Sequence, residues 1–326
     1  MQQVTEQQII PGYQTFASNT QHLANSLSLY CSENLQQEQF KQAKQQWRNT
    51  MDSWQSIQAI QFGPIQENNL GWELQFWPDK KNLIAKKNKG LLLEDSELSD
   101  ERLQKASVVV RGLPSLEFLL FDPKALSYGD QQRRCDLMQG IAKHLVNVTH
   151  KLHQQWQTEH AQLLMNPGTE NPLYPEDKQA IAVVLDSFLS SVEVIKDRKL
   201  GQALGLKARK QHINPYLLES WRSQHSLENI RHNISAVKTL METGGFSAYL
   251  NSQGQQALNL KITQSLETVY TDLHKTDKTL FINLGEGEAE QWQAVVKQLG
   301  PLIQLLKHDL PAALNIQLGF NNNDGD

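Results

Sequence analysis

Apolar residues along this chain recur three and four positions apart in one segment after another and almost nowhere alternate. From residue 8 to 32 the stripe is Ile9, Phe16, Leu23, Leu27 and Tyr30, and from about Leu35 to Ala59 it is Phe40, Trp47, Met51, Trp54 and Ile57, with Gln and Lys on the other face. A period near 3.6 predicts helices that each bury one side. The strongest such pattern spans about 130–164, where Leu137, Ile141, Leu145, Val148, Leu152 and Trp156 share a face. Further helices are predicted near 176–196, 217–243, 246–276 and 288–309. The only β-branched run, Val108 to Val110, lies inside a helical pattern. The reading is an all-α protein of paired helical bundles.

Gly and Pro divide these helices. Phe62, Gly63 and Pro64 stop the second one. The stretch 68–98 reads as non-helical, an ordered aromatic loop with Trp72, Phe76, Trp77 and Pro78 followed by an exposed one bearing Lys80, Lys81, Lys86, Lys87 and Lys89. Ser99, Asp100 and Glu101 open another helix with favourable N-terminal residues, and Gly112 and Pro114 interrupt it ahead of the apolar segment Leu116 to Phe121. Asn166, Pro167 and Gly168 through Pro172 and Pro175 form the widest break. With 326 residues, long for one core, this predicts an N-terminal lobe over 1–165, a C-terminal lobe over 176–320 and a polar tail at 321–326.

A formal charge of −4, with 31 basic and 35 acidic residues dispersed along the chain, gives no basic stripe to track a phosphate backbone, so nucleic acid is not an expected partner. No apolar run approaches the roughly 20 residues that span a bilayer. Residues 2–6 (Gln, Gln, Val, Thr, Glu) show neither a basic n-region nor an apolar h-region, which fits a cytosolic start or a start placed where a leader was removed. Cys31 and Cys135 fit one disulfide or two buried thiols equally.

No phosphate-cradling glycine loop, nucleophile elbow or His-Glu-x-x-His pair occurs. His150 and His153, and likewise His225 and His232, share helix faces whose neighbours read as ordinary surface. The segment Arg111, Gly112, Leu113, Pro114, Ser115, Leu116, Glu117 marks a helix start with Glu117 in its first turn. Glu117 there either offsets the helix dipole or ligates a cation in an interlobe cleft. Glu219 to Ser226 reads as a polar N-terminal helix turn, and Ser223 and His225, two apart, cannot face each other as a nucleophile pair. The aromatic set Trp47, Trp54, Phe62, Trp72, Phe76 and Trp77 is expected to pack core and lobe junction.

Taken in order, Trp47–Arg48 through Trp54, Phe62-Gly63-Pro64, Trp77-Pro78-Asp79, Gly112 to Phe121, Arg134-Cys135, Lys199-Leu200-Gly201 and Glu219 to Ser226 resemble the imelysin-like family, also called the imelysin peptidase (M75) family. The resemblance covers nearly the whole chain. It implies two helical-bundle lobes with a site at their junction, and a periplasmic or outer-membrane-anchored lipoprotein of a Gram-negative bacterium whose signal peptide has been removed. It also implies a link to iron or other envelope nutrient uptake, a small ligand or metal ion in the interlobe cleft, envelope transport proteins as partners and a lipid anchor on the precursor. Iron or another divalent metal is the cofactor to look for, none being fixed by the residues. The ligand-binding set so implied is Trp77, Asp79, Arg111, Gly112, Pro114 and Glu117, joined by Lys199, Glu219, Arg222, Ser223 and Ser226 of the second lobe. The family signature Gly-x-His-x-x-Glu reads here Gly112-Leu113-Pro114-Ser115-Leu116-Glu117. Proline offers no ligand atom, so Glu117 alone would hold a metal weakly, which argues against an active peptidase. A binding protein is the leading reading, with an M75-type metallopeptidase and a non-catalytic interaction scaffold as alternatives. An envelope location would pair Cys31 with Cys135, stapling the first helix to the long one.

Overall fold

The N-terminal half is built from α1 (Ile10–Ser32), α2 (Gln37–Ile57), α3 (Leu83–Leu93), α4 (Leu113–Phe121) and α5 (Gln131–Gln155). The computed structural model describes residues 1–32, 36–206 and 212–319. Helix α1 packs along both α2 and α5, because the stripes Phe16/Leu23/Leu27, Trp47/Met51/Trp54 and Leu137/Ile141/Leu145 all turn inward. Inside this bundle the hydroxyls of Thr20 and Thr149 satisfy each other at 2.7 Å. The Sγ atoms of Cys31 and Cys135 are bonded, tying the end of α1 to the start of α5. Helix α4 packs on α2, α3 and α5, and every residue from Leu113 to Leu120 is buried.

The C-terminal half comprises α6 (Asp177–Val194), α7 (Ser226–Met241), α8 (Gln256–Leu273) and α9 (Glu290–Gln304), with shorter helical pieces between them. Helix α7 contacts α6 and α8 of its own half and also lies on α2 of the other, so it forms the seam between the bundles. Buried apolar side chains run as one continuous cluster through both halves. Among the described residues there is no strand, and no helix is long and apolar enough to cross a membrane.

Several predicted boundaries move. The stretch 68–98 holds a short helix, Leu70–Leu74, and all of α3. The carboxylate of Asp79 accepts the N–H groups of Leu83 (2.7 Å) and Ile84 (2.9 Å), satisfying donors at the start of α3, while Lys86, Lys87 and Lys89 occupy its solvent side. The predicted helix 217–243 begins only at Ser226, and 246–276 divides into Phe246–Ser252 and α8 around Gly254. Leu35, where the second helix was expected to start, and the tail 321–326 lie outside the described residues.

Candidate functional site

Where α2 meets α7, an ammonium is enclosed in the protein. Lys199 lies in the turn Ile195–Leu200 that extends α6, and only 2% of it is exposed. Its Nζ lies within hydrogen-bond distance of four oxygens: Gln55 Oε1 (2.6 Å), Gln58 Oε1 (2.8 Å), Glu219 Oε2 (2.8 Å) and Asn233 Oδ1 (2.6 Å). A neutral amine has two N–H donors and an ammonium three, so four acceptors, one a carboxylate, call for the charged form. Burial pulls the Lys199 pKa below its ordinary value, and the Glu219 charge pushes it back.

Glu219 is equally enclosed. Its Oε1 accepts from Gln75 Nε2 at 2.9 Å and its Oε2 from Asn229 Nδ2 at 2.6 Å. Gln75 in turn accepts from Trp54 Nε1 and Gln58 Nε2, both at 2.6 Å, and Asn233 donates to the Gln55 carbonyl at 2.8 Å. The network thus joins α2, the loop after Leu70–Leu74, the turn after α6 and helix α7. A buried ion pair of this kind adds little net stability over an apolar core, but leaving one partner alone is costly, so it fixes how the two bundles fit.

Beside it stands Glu117, in the second turn of α4 and 3% exposed. Its Oε1 accepts both the N–H and the Oγ–H of Ser223, each at 2.8 Å. Burial raises the Glu117 pKa, opposed by the Ser223 N–H and the nearby Arg222 charge. Ser223 reaches Glu117 because residues 219–225 are an irregular turn with Ser220 and Gln224 in the left-handed region (φ +52° and +58°) rather than the predicted helical turn. Non-glycine residues in this region cost about 1 kcal/mol or more each, so surrounding contacts must hold them. Ser226 contributes its hydroxyl to the Glu219 carbonyl. Gly112 has a steric role: a Cβ there would lie 2.5 Å from the Leu74 carbonyl oxygen and 2.9 Å from that of Glu73, so only glycine lets α4 begin this close to that backbone.

Arg222 bonds Asp122 (Nε to Oδ2, 3.0 Å) and Asn82 (Nη2 to Oδ1, 2.8 Å), with its guanidinium 4.3 Å from the centre of the Trp221 ring. Three cavities adjoin it. One of about 40 Å³ is bounded by Trp77, Pro114, Glu117, Glu219 and Trp221. One of about 380 Å³ lies between Arg48, Phe121, Ser223 and the 277–279 loop, and one of about 490 Å³ between Lys86, Lys89, Lys124, Phe118 and Tyr128.

The structure brings Glu117 together with Ser223, and Lys199 with Glu219, while Trp77, Pro114 and Arg222 line the small cavity between them. Asp79 also borders that cavity, but its carboxylate serves the N-terminus of α3. Arg111 does not join the group: its guanidinium pairs with Glu73 at 3.7 Å and donates to the Gln104 carbonyl at 3.1 Å. Gln55, Gln58, Gln75, Asn229 and Asn233 are residues that sequence reasoning missed. Gln55 and Gln58 were assigned to a solvated face, yet Gln55 is fully buried, and its position four after Met51 and one after Trp54 was the available signal. Two histidines read as ordinary surface also meet here. His225 Nε2 and His232 Nε2 both approach Asp52 Oδ1 across the junction, at 2.6 and 3.4 Å.

The residues around Glu117 do not fit a divalent cation. One carboxylate oxygen is already taken by two donors, Pro114 supplies no ligand atom, Arg222 brings positive charge, and His225 has its Nε2 on Asp52. Among the described residues no group of three or more His, Cys, Asp or Glu side chains is arranged to hold a metal ion.

The family model for imelysin, Peptidase M75, matches residues 9–307. No curated protein sequence matches the chain. The fold is similar to that of an imelysin-like protein from Psychrobacter arcticum 273-4, with a TM-score of 0.84 and 21% identity over 97% of this chain and 95% of that one. It is also similar to a "putative iron-regulated protein A precursor" from Parabacteroides distasonis ATCC 8503, with a TM-score of 0.78 and 14% identity over 95% and 93% of the two chains. With almost all of its helical length matched by one family model, the chain belongs to the imelysin family.

Proposed function

We propose that this chain is a non-peptidase binding protein of the bacterial envelope, periplasmic or held at the outer membrane by a lipid anchor, that serves uptake of iron or another nutrient. Its ligand docks on the face around Trp221 and Arg222 and is not a bare metal ion at Glu117. The observation that carries this reading is the pairing of Glu117 Oε1 with Ser223 in a desolvated pocket beside Pro114, which commits that oxygen to protein donors where a metallopeptidase needs a metal ligand or a base for water. The cavity at Glu117, about 40 Å³, holds about one water's share of liquid volume, whereas the two cavities on the far sides of Arg222 are of ligand size. The iron link draws support from the Parabacteroides distasonis protein, which is named as iron-regulated.

The metal-stripped protein, titrated calorimetrically with ferrous, ferric and zinc ions, gives no saturable heat on this reading. It also leaves an unstructured protein substrate uncleaved with the same ions present. Uptake of one ion per chain that disappears in Glu117→Gln would restore the metal role. Closure at Glu117 also favours a second reading, a scaffold for envelope transport proteins, which predicts that the two larger cavities take no small molecule.

A further inference from the structure

The 380 Å³ cavity has an uneven distribution of charge. Four cations line it, Arg48, Arg222, Arg231 and Lys278, against the two carboxylates Glu228 and Asp277. Three of the cations have their own partners. Arg222 is held by Asp122, Arg231 by Glu228 and the carbonyls of Leu273 and Thr276, and Lys278 by Glu286 and Glu288 at 3.0 and 2.8 Å.

Arg48 differs from these. Its guanidinium lies 5.0 Å from the centre of the Phe121 ring, and among the described residues it makes no carboxylate ion pair within 4 Å and no hydrogen bond. Lys44, one turn earlier on α2, shares the same ring at 5.3 Å and likewise has no carboxylate partner among the described residues. Partial burial lowers the pKa of both, and the Arg48 charge lowers that of Lys44 further. Asp52, one turn later, offsets the Arg48 shift only in part, and its carboxylate is engaged by His225 and His232. Two neighbouring cations on one aromatic wall repel each other, and an anion beside Arg48 would relieve that repulsion.

We propose that this cavity binds a small organic oxyanion, a carboxylate or a phosphate, between Arg48 of α2 and Arg222 of the 219–225 turn, with Phe121 as its apolar wall. The unengaged guanidinium fork of Arg48 suits a planar or tetrahedral oxyanion, and Arg222, whose Nε and Nη2 are held by Asp122 and Asn82, adds positive charge from the opposite side. A volume of about 380 Å³ falls within the roughly 300–1,000 Å³ of small-molecule sites and exceeds what an inorganic ion fills. The proposal rests on the binding-protein reading above and names the ligand class for that face.

Calorimetric titration with citrate and with inorganic phosphate at low ionic strength, where charge interactions are least screened, tests it. Saturable one-to-one binding by at least one probe is expected, weakened roughly 10- to 100-fold in Arg48→Gln, the size of one charge-assisted contact. Arg48→Lys, which keeps the charge but loses the fork, falls between, and thermal melts without probe establish that both variants fold. Citrate binding without phosphate binding assigns the source as a carboxylate, and the reverse as a phosphate. Absence of saturable binding by either probe, or equal binding in Arg48→Gln, overturns the proposal. If that happens while the metal titration stays blank, only the oxyanion falls; if a metal binds at Glu117 instead, the underlying reading falls with it.

Discussion

Replacing Lys199 with methionine tests whether the enclosed network holds the bundles together. The substitution keeps an unbranched side chain but removes the charge and all donors from a group that four oxygens surround. Glu219 would keep Gln75 and Asn229 as donors but lose its only cation within 4 Å among the described residues, at a position 2% exposed. Removing one partner of a buried pair typically costs about 3–5 kcal/mol. For a chain of 326 residues the unfolding entropy is large, so that loss corresponds to a fall in Tm of roughly 4–8 °C. Lys199→Met with Glu219→Gln removes the orphaned charge and should recover about half of the loss, a coupling that a double-mutant cycle by guanidinium denaturation reads directly. A single variant within about 1 kcal/mol of the parent, or a double variant as unstable as the two singles added, would refute this account.

Gly112→Ala places a Cβ 2.5 Å from the Leu74 carbonyl oxygen and should cost about 1–3 kcal/mol by denaturant unfolding; an unchanged midpoint would mean that α4 can retreat freely. Glu117→Gln tests the direction of the Glu117 shift. Because the folded pKa is raised, the parent loses stability relative to the variant as pH climbs from about 4.5 to the raised value, the unfolded chain ionising first, and no such loss occurs below that window. Urea denaturation at about pH 4 and about pH 8 should show the parent's relative advantage shrinking, and parallel behaviour of the two proteins would contradict a desolvated carboxyl.

The long helices were legible because each carries an uninterrupted 3.6-residue stripe, as Leu137 to Leu152 does in α5. Helix α3 was not, because Trp77, Pro78 and a lysine cluster look like loop, and its start is secured by a carboxylate four residues upstream of Leu83. The turn at 219–225 was read as helix because nothing in Ser220 or Gln224 announces a positive φ, which tertiary contacts impose. Glu117, Ser223, Lys199 and Glu219 were singled out, but which of them meet was not, since pairing depends on how α2, α4 and α7 cross. Gln55 and Asn233 look like surface residues by type and become core only because an ammonium stands between them.

The bond between Cys31 and Cys135 closes a covalent loop, 104 residues apart in sequence, that encircles Gln55, Gln58, Gln75 and Glu117, whereas Lys199, Glu219, Ser223 and Asn233 all lie outside it. The junction is thus assembled between a ring and a linear segment of chain. A cut in the exposed stretch from Leu93 to Glu97 would open the ring without releasing either piece, since the disulfide would still tether the part that carries Gln55, Gln58 and Gln75 to the part that carries Lys199 and Glu219. Cleaved at this loop alone, the protein should run as a single band until a reductant is added.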